Sequence, residues 1–353
     1  MNKKEVKDFH DKICHCKNPA EIFSSIKSAK PKEDVLEDLK QEWRQLLLVY
    51  HPDKFASSDP LTTHMAEEIS GTINEMYNLA VDIINNGCKP KKPEVRTPIL
   101  TIQTKRDTYT IYEHYIEGEY ANIFKGTSDT DNICVKIVHD PKDNEFLKNE
   151  AKIMKKLNHK SLPVFLDMFK TSDRTLGIVM KEIDGFDLSE VLEKYPDGLP
   201  ERHAAWVLDR LLSVLGFMHI NKVLHGNIEP TNIMIRPRDH NAFLIDFLFS
   251  LDEPVESEEK FKIYLDSYSH PDVLKKKAPM PHHDLASLGR CMIYLLGGDP
   301  DSFQLPSGIS LSFKRFILEI AYGHVRDAWK RHAELRHLRK EILGHKGFIE
   351  LAM

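Results

Sequence analysis

His225-Gly226-Asn227-Ile228-Glu229-Pro230-Thr231-Asn232 is a short polar loop set between apolar stretches, and its reading decides the fold of the second half of the chain. Twelve residues beyond Asn232 comes Leu244-Ile245-Asp246-Phe247-Leu248, an apolar run interrupted by one carboxylate. Between the two, residues 233–235 and 243–245 read as a pair of short strands. One strand pair therefore carries two turns bearing amides and acids, and the rest of the sequence is placed relative to them.

Upstream of this pair the texture is strand-rich. Residues 108–139 alternate, with Tyr109, Ile111 and Tyr115, then Ala121, Ile123 and Phe124, then Ile133, Val135 and Ile137. A helix is predicted over about 142–157, followed by strands near 165–169 and 177–182, and helices dominate from Ser189 onward. Strands followed by helices fit a small β-rich lobe and a larger α-rich lobe with a cleft between them. Before the strands, Asn85-Asn86-Gly87-Cys88-Lys89-Pro90-Lys91-Lys92-Pro93 reads as a linker, because glycine and proline stop a helix and the lysines are solvated. The first segment, to about Asn86, is helical. Val35, Leu39, Trp43, Leu46, Leu47 and Tyr50 recur at helical spacing, and a second helix over about 63–84 carries Met65, Ile69, Ile73, Met76, Tyr77 and Ala80 on one face. Ile22, Phe23 and Ile26 predict a shorter first helix. Between the two long helices lies His51-Pro52-Asp53-Lys54, so the pair reads as a helical hairpin with that tetrapeptide at its turn.

The bulk numbers bound the class. At 353 residues, 41% hydrophobic and 29% charged, the chain suits a soluble protein of two or three domains. A net charge of −5 gives no global pull toward nucleic acid or membrane. Five scattered cysteines do not make a disulfide framework, and the charged first segment lacks the apolar centre of a signal peptide. These features predict a cytoplasmic or nuclear, reducing location.

From about Thr108 onward the chain resembles the eukaryotic-type protein kinases, and the matching residues fall in family order. Ile133-Cys134-Val135-Lys136 resembles the strand bearing the phosphate-binding lysine, and Glu150 the helix glutamate paired with it. Tyr115 to Phe124 lies where the glycine-rich loop sits; Ile116 replaces the first glycine, Gly118 keeps the second and Ala121 replaces the third. Glu182 and Ile183 fall at the hinge that meets adenine, with Met180 at the pocket gate. The resemblance implies that Asn232 and Asp246 are the Mg²⁺ ligands, hard oxygen donors of the kind that ion takes. His225, Phe247 and Met154 resemble members of an internal stack joining the lobes. His270-Pro271-Asp272 resembles the Ala-Pro-Glu that closes the activation segment, Asp284 the buried anchor of the central helix, and Arg331 the arginine that pairs with the Ala-Pro-Glu carboxylate.

Two positions depart from the family. Asn227 stands where the catalytic aspartate is placed, and Glu229 where a lysine sits by the transferring phosphoryl. An amide oxygen accepts a hydrogen bond but is not a useful base, and general-base assistance contributes about 10²–10⁴-fold. A carboxylate beside a phosphoryl group repels it, by an energy of order 4 kcal/mol at ~4 Å and an effective dielectric near ~20. Leu248 replaces a glycine after Asp246-Phe247, which restricts that loop's backbone.

The first segment resembles the J domain, the module that stimulates ATP hydrolysis by seventy-kilodalton heat-shock chaperones. Trp43-Arg44, Leu46, Leu48, Tyr50, His51, Pro52, Asp53 and Lys54 carry the likeness, with Ile73-Asn74-Glu75 and Tyr77. The resemblance implies that His51, Pro52 and Asp53, with Lys40 and Arg44 on the preceding helix, contact the chaperone; Val49 occupies a usually basic position. His10, Cys14, His15 and Cys16 are read as no zinc site, for want of tetrahedral spacing. His282-His283 is read as a helix start, and the basic tail from His324 as a docked closing helix with a solvated basic face.

The fold class expected is thus α+β: a small all-α J-domain helical hairpin (1–86), a linker (87–107), and a bilobal protein-kinase-like fold (108–353), its lobes meeting near 182–183. The function implied is a J-domain co-chaperone coupled to a nucleotide-binding, catalytically impaired kinase-like adaptor. The alternative is an active atypical serine/threonine protein kinase with a His-Gly-Asn loop. ATP and Mg²⁺ are the cofactors implied. The partners are a seventy-kilodalton heat-shock chaperone and a protein client held by the kinase-like domain, with neither membrane nor nucleic acid.

Overall fold

The computed structural model describes residues 3–13, 16, 18–28, 30–50, 52–55, 60–86, 97–237, 241–343, 351 and 353. The chain divides into two compact units, Met1–Val95 with Leu343–Leu351, and Arg96–Ile342 with Ala352–Met353. Among the described residues, no helix is long and apolar enough to cross a membrane.

The first unit is built on α1 (Lys3–Ile13), α2 (Lys32–Tyr50) and α3 (Pro60–Asn86). Helices α1 and α2 both pack on α3. The interior follows the predicted stripes, with Leu39, Trp43 and Leu47 meeting Ile69, Ile73 and Ala80. One polar contact fixes their register. The indole N–H of Trp43 donates to Asn74 Oδ1 at 2.7 Å in the interior, and its ring stacks on Tyr77 at 4.7 Å. The shorter first helix lies earlier than the sequence reading put it. Residues around Ile22 and Ile26 form two 3-10 turns, Pro19–Glu21 and Ser25–Lys27, rather than a helix. Asn18 and Glu21 cap each other's backbone, and Ser25 bonds Glu42 through both its N–H and its hydroxyl, which holds the chain in turns. Helix α1 is charged throughout and buries little more than Val6 and Ile13, so its apolar signal is sparse.

In the second unit, six antiparallel strands form one sheet: β1 (Leu100–Gln103), β2 (Thr108–Glu117), β3 (Ala121–Thr127), β4 (Asn132–Val138), β5 (Phe165–Lys170) and β6 (Leu176–Lys181). Their order is β1-β2-β3-β4-β6-β5. Strand β1 falls inside the stretch read as linker; it pairs with β2 from Leu100↔Ile111 to Gln103↔Thr108. Helix α4 (Asn144–Lys156) packs against β5 and β6, burying Leu147, Ala151, Ile153 and Met154.

The remainder is mostly helical. It comprises α5 (Leu188–Lys194), α6 (Glu201–Ile220), α7 (Pro254–Ser257), α8 (Pro271–Leu274), α9 (Pro281–Leu295), α10 (Leu311–Ala321) and α11 (Ala328–Leu343). Short strands β7 (Phe186–Asp187), β9 (Ile233–Arg236) and β10 (Asn241–Leu244) form a three-stranded sheet in the order β10-β9-β7, and β8 (Val223–Leu224) pairs with β11 (Leu251–Asp252); β9 and β10 are the predicted pair. Helices α6 and α9 form the centre, and both are buried along most of their length. The tail helix α11 departs from its expected solvated basic face. Arg331, His332 and Arg339 are buried, and His332 and Arg339 both reach Asp209 on α6 at 3.0 Å. Burial alone would raise the Asp209 pKa, but the Arg339 guanidinium and the hydrogen bond from His332 hold it well below the usual carboxylate range.

Asp284, in the first turn of α9, does the anchoring expected of it. One oxygen accepts from His225 N–H at 2.9 Å and His219 Nε2 at 3.1 Å, the other from Gly226 N–H at 3.0 Å. Gly226 has φ +72 and the ring of Phe261 within 2.9 Å of where a Cβ would stand, so only glycine fits there without strain. Asp284→Ala leaves three donors without their acceptor, each worth about 1–3 kcal/mol when buried and unsatisfied. A loss of roughly 3 kcal/mol or more is expected in urea unfolding of the second unit; an unchanged midpoint would refute the anchor.

Candidate functional site

The site is assembled from four elements of the second unit. Strand β4 supplies Lys136, helix α4 supplies Glu150, the turn after β10 supplies Asp246, and the loop between β8 and β9 supplies Asn227, Glu229 and Asn232. Lys136 is 5% exposed and Glu150 2%. The Lys136 ammonium lies 2.9 Å from Glu150 Oε2 and 2.5 Å from Asp246 Oδ1. Burial alone would lower the lysine's pKa; the Asp246 and Glu150 carboxylates outweigh it and raise it, so the amine stays charged. Burial pushes the Glu150 carboxyl up, whereas Lys136 holds Asp246 below the ordinary range despite its burial.

Several backbone contacts hold this cluster. Glu150 Oε1 accepts the Phe247 N–H at 3.1 Å. The Asn149 side chain donates to the carbonyls of Phe247, Leu248 and Ser250 at 3.4, 3.4 and 2.8 Å. Asp246 itself carries the turn's strain at φ +66, a region that aspartate tolerates better than most residues. Leu248 therefore needs no left-handed backbone, which is how the chain dispenses with the glycine. His225 Nε2 bonds the Ile245 carbonyl at 3.0 Å while Nδ1 accepts from the Asn227 N–H at 3.2 Å, which fixes the tautomer with its proton on Nε2. Its ring meets Phe247 edge-on at 4.9 Å, as the stack required.

Asn227 is tied to the neighbouring acid. Its amide donates to Asp246 Oδ2 at 3.1 Å, so Asp246 is held through both oxygens. Its own Oδ1 is buried and has no hydrogen-bond partner among the described residues. Asn232 Nδ2 donates to the Asn227 carbonyl at 3.0 Å and to Glu229 Oε1 at 3.4 Å. Burial first, and the neighbouring Asp246 charge second, push the Glu229 carboxyl above its ordinary range. One ammonium thus faces two carboxyl groups, Glu150 and Asp246, and the oxygens of Asp246 and Asn232 are of the kind a hard divalent cation such as Mg²⁺ takes.

The other expected residues are placed as follows. Gly118 is in the turn from β2 to β3, its N–H donating to the Ala121 carbonyl at 3.1 Å; a Cβ at 118 would meet that oxygen at 2.7 Å. Ala121 is buried at the start of β3. Glu182 and Ile183 follow β6; the Glu182 N–H donates to the Asn132 carbonyl at 3.0 Å and its carboxylate is 3.4 Å from Lys125. Lys40 is half-buried and Arg44 exposed on α2. His51 and the side chains of Pro52 and Asp53 lie outside the described residues, as do Cys14 and His15.

One expectation is corrected. Arg331 does not pair with Asp272: it bonds Glu319 at 2.9 Å, Glu334 at 2.8 Å and the Phe316 carbonyl at 2.7 Å. The short Asp272 side chain is taken by Lys277 from its own turn, at 2.8 Å. Asn149 is the residue sequence reading missed; nothing in the pattern separates it from any polar residue of a helix, because its role depends on the loop it meets.

A six-stranded sheet over a helical lobe, with a lysine–glutamate–aspartate cluster between them, defines the class of two-lobed kinase-like proteins. The protein kinase domain family matches residues 109–343, and the chain belongs to that family. It is 28% identical over 212 residues to the serine/threonine-protein kinase fray1 of Dictyostelium discoideum, covering 58% of this chain and 37% of that one. It is 23% identical over 210 residues to the serine/threonine-protein kinase dkf-2 of Caenorhabditis briggsae, covering 56% and 18%. It is 25% identical over 275 residues to the serine/threonine-protein kinase CLA4 of Candida albicans, covering 69% and 28%. The chain therefore spans well under two thirds of the length of these relatives.

A raised carboxyl pKa costs stability once the group ionises. Glu229→Gln is expected to raise the melting temperature of the ligand-free protein above the raised Glu229 pKa. The gain should shrink as pH falls through that value and vanish below the ordinary carboxylate range, where glutamate is protonated in both states. A pH series of melting curves checks this; a gain that persists into acid would place its cause elsewhere.

Proposed function

We propose that this protein is a J-domain co-chaperone whose kinase-like unit binds ATP with Mg²⁺, transfers little or no phosphate, and presents a protein client. The observation that carries the impaired chemistry is Asn227. Where a base would stand, the chain has an amide that donates a hydrogen bond to Asp246, and its remaining oxygen takes up a proton far too weakly at neutral pH to act as one. Nucleotide binding is supported by the convergence of Lys136, Glu150 and Asp246. The ammonium would meet phosphate oxygens, Asp246 and Asn232 would hold the cation, and the hinge at Glu182 and Ile183 would receive the base. Bound Mg²⁺ would supply charge neutralisation of the phosphates. The narrow Gly118 turn, which spends its N–H on Ala121, leaves less backbone to cradle a phosphate.

The chaperone half of the reading rests on the helical hairpin and on residues read from the sequence. The Trp43–Asn74–Tyr77 contact ties α2 to α3, the helices that flank His51, Pro52 and Asp53 in the sequence. Lys40, Arg44 and Leu48 follow at four-residue steps along α2, a stripe suited to an acidic partner surface.

A thermal-shift titration tests the cleft. ATP with Mg²⁺ should raise the melting temperature of the wild type and not that of Asp246→Ala, and an unmoved wild type removes the nucleotide. With labelled ATP, the wild type should incorporate near-background phosphate, and Asn227→Asp with Glu229→Lys should raise incorporation by about 10²-fold or more. Robust wild-type transfer that is lost in Glu229→Gln would instead identify Glu229 as the base of an active kinase. Separately, the full chain should stimulate a seventy-kilodalton chaperone's ATPase and His51→Gln should abolish that stimulation; equal rates for the two would end the co-chaperone reading.

A further inference from the structure

His270, Asp272, His282 and His283 bring four donor atoms together within 4.8 Å of one another. They come from two elements, the N-terminus and first turn of α8 and the first turn of α9. Donors around a tetrahedral zinc ion are about 3.4 Å apart, given ligand bonds of about 2.0–2.1 Å, so modest side-chain rotation closes the gap. The rings are already gathered: His282 and His283 have centroids 4.1 Å apart, and His270 lies 5.4 and 5.3 Å from them. His283 is 3% exposed, and its Nε2 has no hydrogen-bond partner among the described residues. Gly323, at φ +75, keeps the flank open; a Cβ there would lie 2.9 Å from His270 Nε2 and 3.7 Å from His282 Cδ2.

We infer that these four residues form a site for a zinc-class divalent cation, clasping α8 to the start of α9. Three imidazoles and one carboxylate are a donor set zinc accepts, and softer than the oxygen-only sets of Mg²⁺ and Ca²⁺. The existing contacts bear on how it binds. Asp272 gives one oxygen to Lys277 at 2.8 Å, leaving Oδ2, which lies 3.9 Å from His270 Nδ1. The Nδ1 atoms of His270 and His283 accept backbone N–H groups of Asp272 and Met280 at 3.2 and 3.1 Å. Coordination through Nε2 moves each ring proton to Nδ1 and exchanges two long contacts for metal bonds, with no net proton release from neutral rings. The clasp lies one residue from Asp284, so an ion there stiffens the turn that holds His225 and Gly226.

The test uses the full chain, stripped with a chelator and titrated with Zn²⁺ against a metal-sensitive dye, and with Co²⁺ followed by visible absorption. One equivalent should bind, with the intense absorption of four-coordinate Co²⁺ and no thiolate charge-transfer band. His270→Gln and His282→Gln, both at partly exposed positions, should each weaken binding by roughly 100-fold or more. Gly323→Ala should weaken it too, while Asp246→Asn should leave it intact. Uptake equal in the wild type and the histidine variants, a thiolate band, or loss in Asp246→Asn would each overturn the site. Variants that fail to melt cooperatively are replaced by His282→Asn, for which the same loss is required.

Discussion

The buried ammonium of Lys136 is the constraint around which the second unit is arranged. A strand, a helix and a turn each contribute one member of a charged triad, and no two of them are neighbours in sequence. Removing such charges from water costs several kcal/mol per ion, and the mutual attraction offsets it only when the geometry is held. The holding contacts are visible: the second oxygen of Glu150 takes the Phe247 N–H, and Asn149 ties down the three carbonyls that follow. Sheet and helical lobe are thereby joined at the same residues that would meet a ligand. Structure and chemistry cannot be separated at this point, so a change at Lys136 would disturb both.

The exchange of a catalytic aspartate for Asn227 acquires a local explanation from the same geometry. The two side chains are nearly the same size, so the packing of the loop survives. Their charges differ, the amide being neutral. A carboxylate at 227 would face Asp246 as a like charge, whereas the amide donates to it. With an amide at 227, the ligand-free loop carries a hydrogen bond to Asp246 in place of a like-charge contact. Asp284 holds the two residues just before Asn227, accepting the His225 and Gly226 N–H groups, and ties them to α6 through His219.

Much of this was legible in the sequence, for identifiable reasons. Strands β2 to β6 and helices α2, α3 and α4 announce themselves because their apolar residues keep a strict period and face the core of their own unit. The Lys136, Glu150 and Asp246 cluster was legible only through the order of motifs; no local pattern places Lys136 beside an aspartate more than a hundred residues away. Elements with little apolar content escaped, as α1 did, and so did β1, whose short run Leu100–Gln103 follows a proline-rich stretch. Partner choice was the least legible feature. Arg331 chose Glu319 over Asp272, and His332 and Arg339 turned inward to Asp209 rather than out to solvent, because such choices depend on which acid the fold brings within reach. His282 and His283 were read as a helix start, and His283 does cap one; what the sequence hides is that His270 arrives beside them.

Asp246 has no idle oxygen: one is engaged by Lys136 and the other by Asn227. A metal ion entering this turn therefore displaces partners rather than filling a gap, and its net gain is the difference between two sets of contacts. A weakly charged, loosely solvated ion gains little from such a swap. A small doubly charged one, delivered with phosphate oxygens that give the released ammonium a new counter-charge, gains on both sides at once. If the proposed nucleotide binding holds, the resting turn would favour cations that arrive already chelated over bare ones.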